Sequence, residues 1–219
     1  MKSGPQSNFI FFVKRLFDIV CAGLCLVILS PLLALIALLI KIDSKGPVLF
    51  RQERVGRHGK IFIINKFRTM VVGAVDMTGS YKVEAEDRRI TRIGTLLRQF
   101  SLDELPQLVN IIKGEMSIVG PRPTLVYQVE RYDDRQRQRL LVRPGVTGWA
   151  QVNGRNAISW PERIELDLWY IERWTMWLDL KILLLTFKSI LFSNNLYRTA
   201  DYDPISDPDC SINKENGER

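Results

Sequence analysis

Histidine and cysteine are scarce in this chain, and their scarcity excludes several kinds of site. Of the 219 residues, one is histidine, His58, and three are cysteines. A single histidine cannot build a histidine-rich metal centre. Cys21 and Cys25 lie inside an apolar run and Cys210 stands alone near the C-terminus, so the cysteines predict no disulfide framework. A reducing compartment is therefore favoured.

Common nucleotide-binding and hydrolase motifs are absent as well. The sequence has no glycine-rich loop with dinucleotide-binding or P-loop spacing. It also has no Gly-x-Ser-x-Gly nucleophile elbow. Any catalytic chemistry must therefore come from carboxylates, arginines and lysines.

The charge balance is basic, with a formal net charge of +7. This excess favours an anionic partner, and a phosphorylated ligand, an anionic lipid and a nucleic acid all fit it. Because the basic residues are spread among acidic ones and no recognised nucleic-acid module occurs, we predict no nucleic-acid partner. A membrane-tethered binder of nucleic acid or anionic lipid is the non-enzymatic alternative.

One apolar run, residues 19–40, contains about 22 uncharged residues, enough for a helix to cross a bilayer. Ser30-Pro31 lies at its middle, where proline frees a backbone carbonyl and bends a helix. Basic residues flank the run on both sides: Lys14, Arg15, Lys41, Lys45 and Arg51. Positive charge marks the cytoplasmic flank of a membrane helix, so both ends favour the same side. A re-entrant hairpin fits these observations, and a proline-kinked spanning helix is the alternative.

The rest of the chain predicts a mixture of strands and helices. Two β-prone runs within residues 46–70 are divided by GRHGK and predict a hairpin. Helical periodicity follows in residues 90–100 and again in 102–112. Residues 127–141 are highly charged and predict a solvated helix. Residues 161–192 combine tryptophans with basic residues, which is typical of amphipathic helices at a membrane surface.

The best candidate site is SLDELPQ, residues 101–107. Ser101 and Glu104 match a capping box, which predicts the start of a helix. The same stretch could do chemistry, because the free amides at a helix start bind phosphate. Asp103 and Glu104 could hold a divalent cation that neutralises a diphosphate, and Asp103 could attack phosphorus as a covalent nucleophile.

Basic side chains surround this stretch in the sequence: Lys66, Arg68, Arg92, Arg98 and Arg122. Arginine suits forked recognition of phosphate. Pro121 and Pro123 fix the backbone on either side of Arg122. The guanidinium of Arg122 should therefore be held in place with little entropy to lose.

Together these motifs resemble the monotopic phosphoglycosyl transferases, a family also called bacterial sugar transferases. The resemblance covers residues 10–192, and the combination of SLDELPQ with GPRP is its most specific part. The matching stretches are KRLFDIV, the Ser30-Pro31 break, GPVLFRQERVG, KFRTM, TRIGTLLRQFSLDELPQLVNIIKGEMSIVGPRPTL, RPGVTGWAQVNGRN and ELDLWYIERWTMWLDLKIL.

The resemblance implies an α-rich α+β fold in a monotopic membrane protein. Residues 1–45 would form a re-entrant membrane segment, a helix hairpin broken at Ser30-Pro31. Residues 46–192 would form a small cytoplasmic catalytic domain with amphipathic interfacial helices, and residues 193–219 a disordered tail. The expected location is the cytoplasmic face of the bacterial inner membrane.

The implied reaction transfers a sugar 1-phosphate from a UDP-sugar to undecaprenyl phosphate, giving undecaprenyl-diphosphate-sugar and UMP. Asp103 would attack the β-phosphate and carry the phosphosugar in a ping-pong mechanism, with Mg²⁺ bound by Asp103 and Glu104. This would be the first membrane step of glycan, polysaccharide or glycoprotein assembly. Likeness to the small members of the family favours an acetamido or diacetamido sugar such as N,N'-diacetylbacillosamine.

The resemblance also implies further site residues and partners. Six residues are expected to bind substrate or phosphate: Lys66, Arg68, Arg98, Pro121, Arg122 and Pro123. Three more are expected to support the site: Arg143, Arg155 and Asp167. Membrane lipids are expected partners, and a homodimer and downstream glycosyltransferases are compatible with the family.

The alternative enzyme class is a glycosyltransferase that moves the sugar without its phosphate and releases UDP. Its acidic metal-binding motif would have to be Asp133-Asp134 or the pair Asp201 and Asp203. The first pair lies in a charged helix and the second in the polar tail. Solvated charge explains both pairs better than a metal site does.

Overall fold

The chain folds into one long N-terminal helix and a helix-rich body with two small β-sheets. The computed structural model describes residues 5–74, 87–154 and 158–192. The helices in these ranges are α1 (Pro5–Asp43), α2 (Arg92–Gln99), α3 (Gln107–Lys113), α4 (Val126–Glu130), α5 (Asp134–Arg137), α6 (Trp149–Val152), α7 (Trp160–Glu172) and α8 (Met176–Phe192). The strands are β1 (Leu49–Val55), β2 (Ile61–Phe67), β3 (Ser117–Val119) and β4 (Gly145–Thr147). This composition agrees with the predicted α-rich α+β class.

Helix α1 is long and apolar enough to cross a membrane, judged by length and composition alone. Helical geometry continues through Ser30 and Pro31, and the Ser30 hydroxyl donates to the Val27 carbonyl at 2.8 Å. This hydroxyl bond is the local compensation expected where a proline disturbs a helix. The chain does not form a loop at Ser30-Pro31, and the hairpin stays a prediction.

Both ends of α1 are bound to the body of the protein. The Asp18 carboxylate accepts a hydrogen bond of 3.0 Å from the Ile118 amide. Twenty-five residues later the Asp43 carboxylate accepts one of 3.0 Å from the Ile93 amide at the start of α2. Between these anchors, residues 23–35 include no buried residue. The middle of α1 therefore exposes apolar side chains while its ends pack.

A second anchor at the N-terminal end of α1 joins it to the C-terminal helices. The Lys14 ammonium pairs with the Asp179 carboxylate at 2.5 Å. Asp179 also accepts hydrogen bonds from the Tyr170 hydroxyl at 2.7 Å and from the Trp174 indole at 3.2 Å. The ring of Phe11 stacks on Trp174 with centroids 5.0 Å apart. Asp179 is buried, and these three donors satisfy its charge.

The predicted hairpin within residues 46–70 is confirmed. Strands β1 and β2 pair antiparallel, with Leu49 opposite Phe67, and a 3-10 turn over Arg57–Gly59 joins them. Phe62, Ile64 and Phe67 of β2 are buried. This hairpin carries Lys66 on a strand with a fixed register.

Strands β3 and β4 form a parallel pair that depends on glycine. A Cβ atom added to Gly145 would lie 2.1 Å from the amide nitrogen of Gly120, so no side chain fits there. The Gly145 amide donates to the Pro121 carbonyl at 2.8 Å. The close approach of the two backbones fixes the segment 121–123 where it leaves β3.

Helices α7 and α8 confirm the predicted helices of residues 161–192, but the two helices differ. Ser159 caps α7 and forms a capping box with Glu162. The inner face of α7 is buried in the core together with Ile182 of α8. Helix α8 leaves large apolar side chains exposed: Trp177, Leu180, Leu184 and Phe187. The amphipathic surface predicted for this region thus lies on α8, whereas α7 is a core helix.

The predicted division of the chain into residues 1–45, 46–192 and 193–219 stays a prediction. Helix α1 ends at Asp43, two residues before the first predicted boundary. Residues 193–219, for which we predict disorder, lie outside the described residues.

Candidate active site

The SLDELPQ stretch forms a sharp turn rather than the start of a long helix. Ser101 has a left-handed backbone with φ of 55°, and its side chain makes no capping hydrogen bond. A single 3-10 turn over Leu102–Glu104 follows, and α3 begins only after Pro106. The predicted capping box and the single helix over 102–112 are therefore wrong. A left-handed serine is uncommon and is held only where the surrounding structure requires it.

The Glu104 side chain, freed from capping, joins two basic residues. Its Oε1 atom accepts hydrogen bonds from Lys66 Nζ at 2.7 Å and from Arg122 Nη2 at 2.8 Å. Lys66 comes from β2 and Arg122 from the segment after β3. One carboxylate oxygen thus connects three distant parts of the chain.

Asp103 lies beside this cluster without joining it. Its closest ionic partner is Lys66 Nζ, at 4.0 Å, and it accepts no hydrogen bond from any described residue. The side chains of Asp103 and Glu104 are each only 14 % exposed. Asp103 is therefore a free acceptor in a sheltered position.

The two carboxylates differ in their proton affinity. Burial raises the pKa of Asp103 above its usual range, and the Glu104 charge adds to this, although the Lys66 charge opposes both. Burial also acts to raise the pKa of Glu104, but Arg122 and Lys66 together hold that pKa well below its usual range. The surroundings thus favour the charged form of Glu104, whereas they raise the proton affinity of Asp103.

The main chain around Arg122 is held at every carbonyl from residue 121 to 124. The Pro121 carbonyl accepts from the Gly145 amide, and the Thr124 carbonyl accepts from the Val55 amide at 3.0 Å. The remaining two carbonyls accept from arginines: Pro123 from Arg54 at 3.3 Å and Arg122 from Arg139 at 2.7 Å. Pro121 and Pro123 are buried. This segment has the rigid backbone that its two prolines predict.

Arg139 is a site residue that sequence reasoning missed. Its Nε donates to Asp167 at 2.6 Å and its Nη1 to the Tyr132 hydroxyl at 2.8 Å. Arg139 and Asp167 are both buried. Asp167 is thus linked to the Arg122 carbonyl through Arg139. Its supporting role in the site stays a prediction.

Arg139 was missed because residues 127–141 were predicted to be one solvated helix. The segment instead forms α4, α5 and a 3-10 turn over Gln138–Leu141. Gln128, Val129 and Tyr132 are buried together with Arg139. A charged run is normally solvated, and nothing in its spacing marks the one arginine that turns inward.

Lys66 is positioned by a buried amide network. Asn110 of α3 is fully buried, and its carbonyl oxygen accepts from both the main chain and the side chain of Asn65, each at 3.1 Å. Its amide nitrogen donates to the Ile63 carbonyl at 2.7 Å. Strand β2 is thus fixed to α3 next to Lys66.

Comparison with known proteins identifies the family of the chain. The sequence pattern described as bacterial sugar transferase matches residues 9–193. The chain belongs to the bacterial sugar transferase family. The predicted family membership is confirmed.

Individual relatives of this sugar transferase differ in length. The chain is 44 % identical over 187 residues to the uncharacterized sugar transferase EpsL of Bacillus subtilis, covering 85 % of the chain and 91 % of EpsL. It is 44 % identical over 208 residues to an undecaprenyl-phosphate glucose phosphotransferase of Komagataeibacter xylinus, covering 88 % and 38 %. It is 42 % identical over 200 residues to an undecaprenyl-phosphate galactose phosphotransferase of Salmonella typhimurium, covering 85 % and 42 %. The chain thus spans about two fifths of the two relatives with named activities.

Some residues predicted for the site of this sugar transferase make their contacts away from Asp103 and Glu104. Arg68 is buried, and its guanidinium donates to the carbonyls of Lys45 at 2.6 Å and Ser44 at 2.8 Å. It therefore holds the chain at the end of α1, and phosphate binding by Arg68 has no support. Arg143 lies at the far end of α3, where its Nε donates to the Gly114 carbonyl.

Of the other residues predicted for the site, the structure describes Arg98 but not Arg155. Arg98 of α2 is near enough to Asp103 for its charge to lower the pKa of that carboxyl. Arg155 lies outside the described residues. In the alternative metal motif, Asp133 caps α5 by accepting from the Gln136 amide at 2.8 Å. This side chain has a structural role, which removes the support for a metal site there.

The donor chemistry of the site fits Mg²⁺. Within the described ranges, no group of three or more His, Cys, Asp or Glu side chains could hold a metal ion. Mg²⁺ usually takes one or two carboxylates and completes its shell with water and substrate phosphates. The oxygens of Asp103 and the second oxygen of Glu104 accept no hydrogen bond from described residues. They could serve as such ligands.

Proposed function

We propose that this bacterial sugar transferase moves a sugar 1-phosphate from a UDP-sugar to undecaprenyl phosphate, giving undecaprenyl-diphosphate-sugar and UMP. The relatives from Komagataeibacter and Salmonella are named for transfer involving undecaprenyl phosphate. The observation that carries the proposal is the difference between the two adjacent carboxylates. Glu104 is hydrogen-bonded to Lys66 and Arg122, whereas Asp103 lies 4.0 Å from Lys66 and accepts no hydrogen bond from any described residue.

The first half-reaction uses Asp103 as nucleophile. A carboxylate oxygen of Asp103 attacks the β-phosphorus of the UDP-sugar, and the bond from that phosphorus to the bridging oxygen breaks. UMP leaves with the bridging oxygen and its electron pair, and the phosphosugar stays on the carboxylate. In the second half-reaction a phosphate oxygen of undecaprenyl phosphate attacks the same phosphorus. The bond to Asp103 breaks, and the carboxylate is restored.

The basic residues supply charge where the diphosphate binds. Phosphoryl transfer depends mostly on positioning and on neutralising negative charge. Lys66 and Arg122 are fixed by Glu104, and Arg98 adds a third positive charge near Asp103. Asp103 and Glu104 would hold Mg²⁺, which when bound supplies further neutralisation of the diphosphate.

Membrane attachment suits a reaction between a soluble nucleotide and a lipid. Helix α1 exposes apolar side chains along its middle, and α8 adds the exposed Trp177, Leu184 and Phe187. An amphipathic helix with large aromatic side chains favours the boundary between membrane and water. We place this surface of α8 on the bilayer and the active site at its cytoplasmic face.

The packing of α1 supports the re-entrant topology. Ala22 belongs to the cluster of Ile64, and Ile36 belongs to the cluster of Phe67. Ile64 and Phe67 lie three residues apart on β2, about 10 Å. Ala22 and Ile36 would lie about 21 Å apart on a straight helix. A bend at Pro31 would bring the two halves of α1 towards neighbouring sites on one body and would keep both ends on one side of the membrane.

Cysteine labelling tests this topology. Ser7→Cys and Lys60→Cys would be placed singly in a chain without Cys21, Cys25 and Cys210, and intact cells would be treated with a membrane-impermeant maleimide. A re-entrant segment leaves both positions unlabelled until the cells are opened. Labelling of position 7 alone in intact cells would indicate a spanning helix.

The reaction is tested by the nucleotide released and by the covalent intermediate. The purified chain in nanodiscs would receive Mg²⁺ and a panel of UDP-sugars, including glucose, galactose and acetamido sugars, with the β-phosphorus labelled. Without undecaprenyl phosphate, we expect UMP and one hydroxylamine-sensitive label per chain. Asp103→Asn should give neither. Adding undecaprenyl phosphate should move the label into lipid.

The opposite results would identify the alternative class. Release of UDP with unlabelled protein would support a glycosyltransferase that moves the sugar alone. Label retained by Asp103→Asn would place the nucleophile elsewhere. The most active member of the panel decides between the acetamido sugars favoured by the sequence and the hexoses in the relatives' names.

A further inference from the structure

Two arginines from distant parts of the chain meet at the C-terminal end of α3. Arg15 Nη2 of α1 donates to the Ile112 carbonyl at 3.1 Å. Arg143 Nε donates to the Gly114 carbonyl at 2.9 Å. These carbonyls end the helix, where cations are favoured by the helix dipole. The dipole explains one cation at this position and leaves a second cation unexplained.

Arg57 adds a third positive charge to the cluster. Its Nε donates to the Leu141 carbonyl at 3.0 Å, two residues before Arg143. Burial lowers the pKa of Arg143, and the positive charges of Arg15 and Arg57 lower it further. Arg143 is thus close enough to Arg15 and to Arg57 to be repelled by both.

Carboxylates do not balance this cluster. None of the ion pairs among the described residues includes Arg15, Arg57 or Arg143. The charge of Asp18 acts to raise the pKa of Arg143, and the Asp18 Oδ1 accepts a hydrogen bond from the Ile118 amide. Glu115 follows Gly114, and its carboxylate accepts from Asn110 at 2.6 Å. Neither carboxylate forms an ion pair with the three arginines.

One nitrogen of the cluster has unused hydrogen-bonding capacity. Arg15 Nη1 is buried and has no hydrogen-bond partner in the described part of the chain. A buried donor without an acceptor costs free energy comparable to a lost hydrogen bond. An anion at this position would supply that acceptor and reduce the repulsion between the three arginines.

The surroundings of the cluster are apolar and exposed. Leu16 and Ile19 of α1, Ile112 of α3 and Leu141 all expose large parts of their side chains next to it. Basic groups beside exposed apolar side chains are typical of the headgroup level of a bilayer, and each such basic group gains about 1 kcal/mol from an anionic leaflet. Under the proposed function, on which this inference rests, Arg15 belongs to the helix that enters the membrane.

We propose that Arg15, Arg57 and Arg143 bind the phosphate of an anionic glycerophospholipid at the membrane surface. Guanidinium groups suit phosphate because their paired donors match its oxygens. The seven residues of α3 separate this site from Glu104 by about 10 Å or more. The bound lipid is therefore a bilayer lipid and lies away from the position where the acceptor lipid reacts.

The test measures thermal unfolding of the full chain in neutral detergent while lipid is added. Phosphatidylglycerol should raise Tm by several degrees more than phosphatidylcholine, since a ligand that binds the folded state stabilises it. The variant Arg15→Gln/Arg143→Gln should raise the apparent Kd for phosphatidylglycerol at least tenfold. The control Arg135→Gln/Arg173→Gln removes two exposed arginines paired with Glu165 and Glu172, and should bind like the native chain.

Several outcomes would overturn the proposal. Equal Tm changes with both phospholipids, or an unchanged Kd in the double variant, would show that no such site exists. A response to undecaprenyl phosphate or to glycerol phosphate, with none to phosphatidylglycerol, would assign the cluster to another phosphate. If the double variant does not fold, the apparent Kd of the Arg57→Gln variant for phosphatidylglycerol tests the site, because Arg57 is exposed. It should weaken phosphatidylglycerol binding severalfold, and native affinity would contradict the site.

Discussion

The guanidinium of Arg139 donates a hydrogen bond of 2.7 Å to the main-chain carbonyl of Arg122. The same guanidinium is fixed by Asp167, so a buried ion pair positions the residue that holds Glu104. Arg139→Lys keeps the charge but cannot reach both acceptors. We expect kcat to fall by about 10- to 100-fold, since misplacement of about 1 Å costs that much, with a smaller change in KM. Steady-state UMP release measures both constants.

A matched pair of variants separates positioning from stability. Arg135→Lys is the control, because Arg135 forms an exposed pair with Glu165. The double variant Arg139→Met/Asp167→Leu removes the whole buried pair without leaving an uncompensated charge, and such replacements often preserve stability. If this variant keeps the native Tm and the native kcat, Arg139 does not position Arg122.

Lys66→Met should shift the acidic limb of the pH-rate profile to higher pH. The Lys66 charge lowers the pKa of Asp103, so removing it leaves that pKa higher still. Asp103 must be deprotonated to attack phosphorus, so activity would then be lost at a higher pH as the solution is acidified. Single-turnover UMP release, followed from acidic to neutral pH, measures the limb. An unmoved limb would contradict the role of Asp103 as the titrating group.

Glu104→Gln should move the same limb in the opposite direction. The Glu104 charge raises the pKa of Asp103, so its removal lowers that pKa and also frees Lys66 and Arg122. The overall rate should fall because both cations lose their anchor. The direction in which the limb moves is the decisive measurement, and a shift to higher pH would contradict the effect of the Glu104 charge on the pKa of Asp103.

Ile111→Ala should destabilise the protein by about 2–5 kcal/mol, the usual cost of truncating a buried isoleucine. Ile111 is 0 % exposed and packs with Ala22 of α1 and Ile64 of β2. Its neighbour Ile112 is 42 % exposed and provides the control, for which Ile112→Ala should change stability by about 0.5 kcal/mol or less. Denaturant unfolding in detergent compares the two. Equal losses would mean that the cluster does not join α1 to the body.

Local sequence signals predicted the elements whose chemistry is local. The β-hairpin follows from β-prone runs divided by a turn, and the helices of residues 161–192 follow from their mixture of tryptophans and basic residues. The rigid backbone around Arg122 follows from Pro121 and Pro123. The resemblance of short motifs placed Asp103 and Glu104 in one site with the family's basic residues.

Sequence reasoning failed where two local structures compete. Ser101 and Glu104 fit a capping box, yet the pull of Lys66 and Arg122 on the Glu104 carboxylate is stronger than a capping bond, and Ser101 takes a left-handed conformation. Arg68 has the same type of side chain as Arg122, so the sequence predicted phosphate binding for both. The structure instead holds Arg68 at the end of α1, where it donates to the carbonyls of Ser44 and Lys45.

The sequence by itself determined the long apolar helix, the β-hairpin of β1 and β2, the α-rich class and the family. Hydrophobic pattern, turn residues and motif spacing are properties of neighbouring residues. Only the tertiary structure decided that Glu104 joins β2 to the segment after β3, and that Arg139 turns inward to hold Arg122. These contacts join residues many positions apart, and whether a charged side chain is solvated or buried depends on the packing that brings its partner to it.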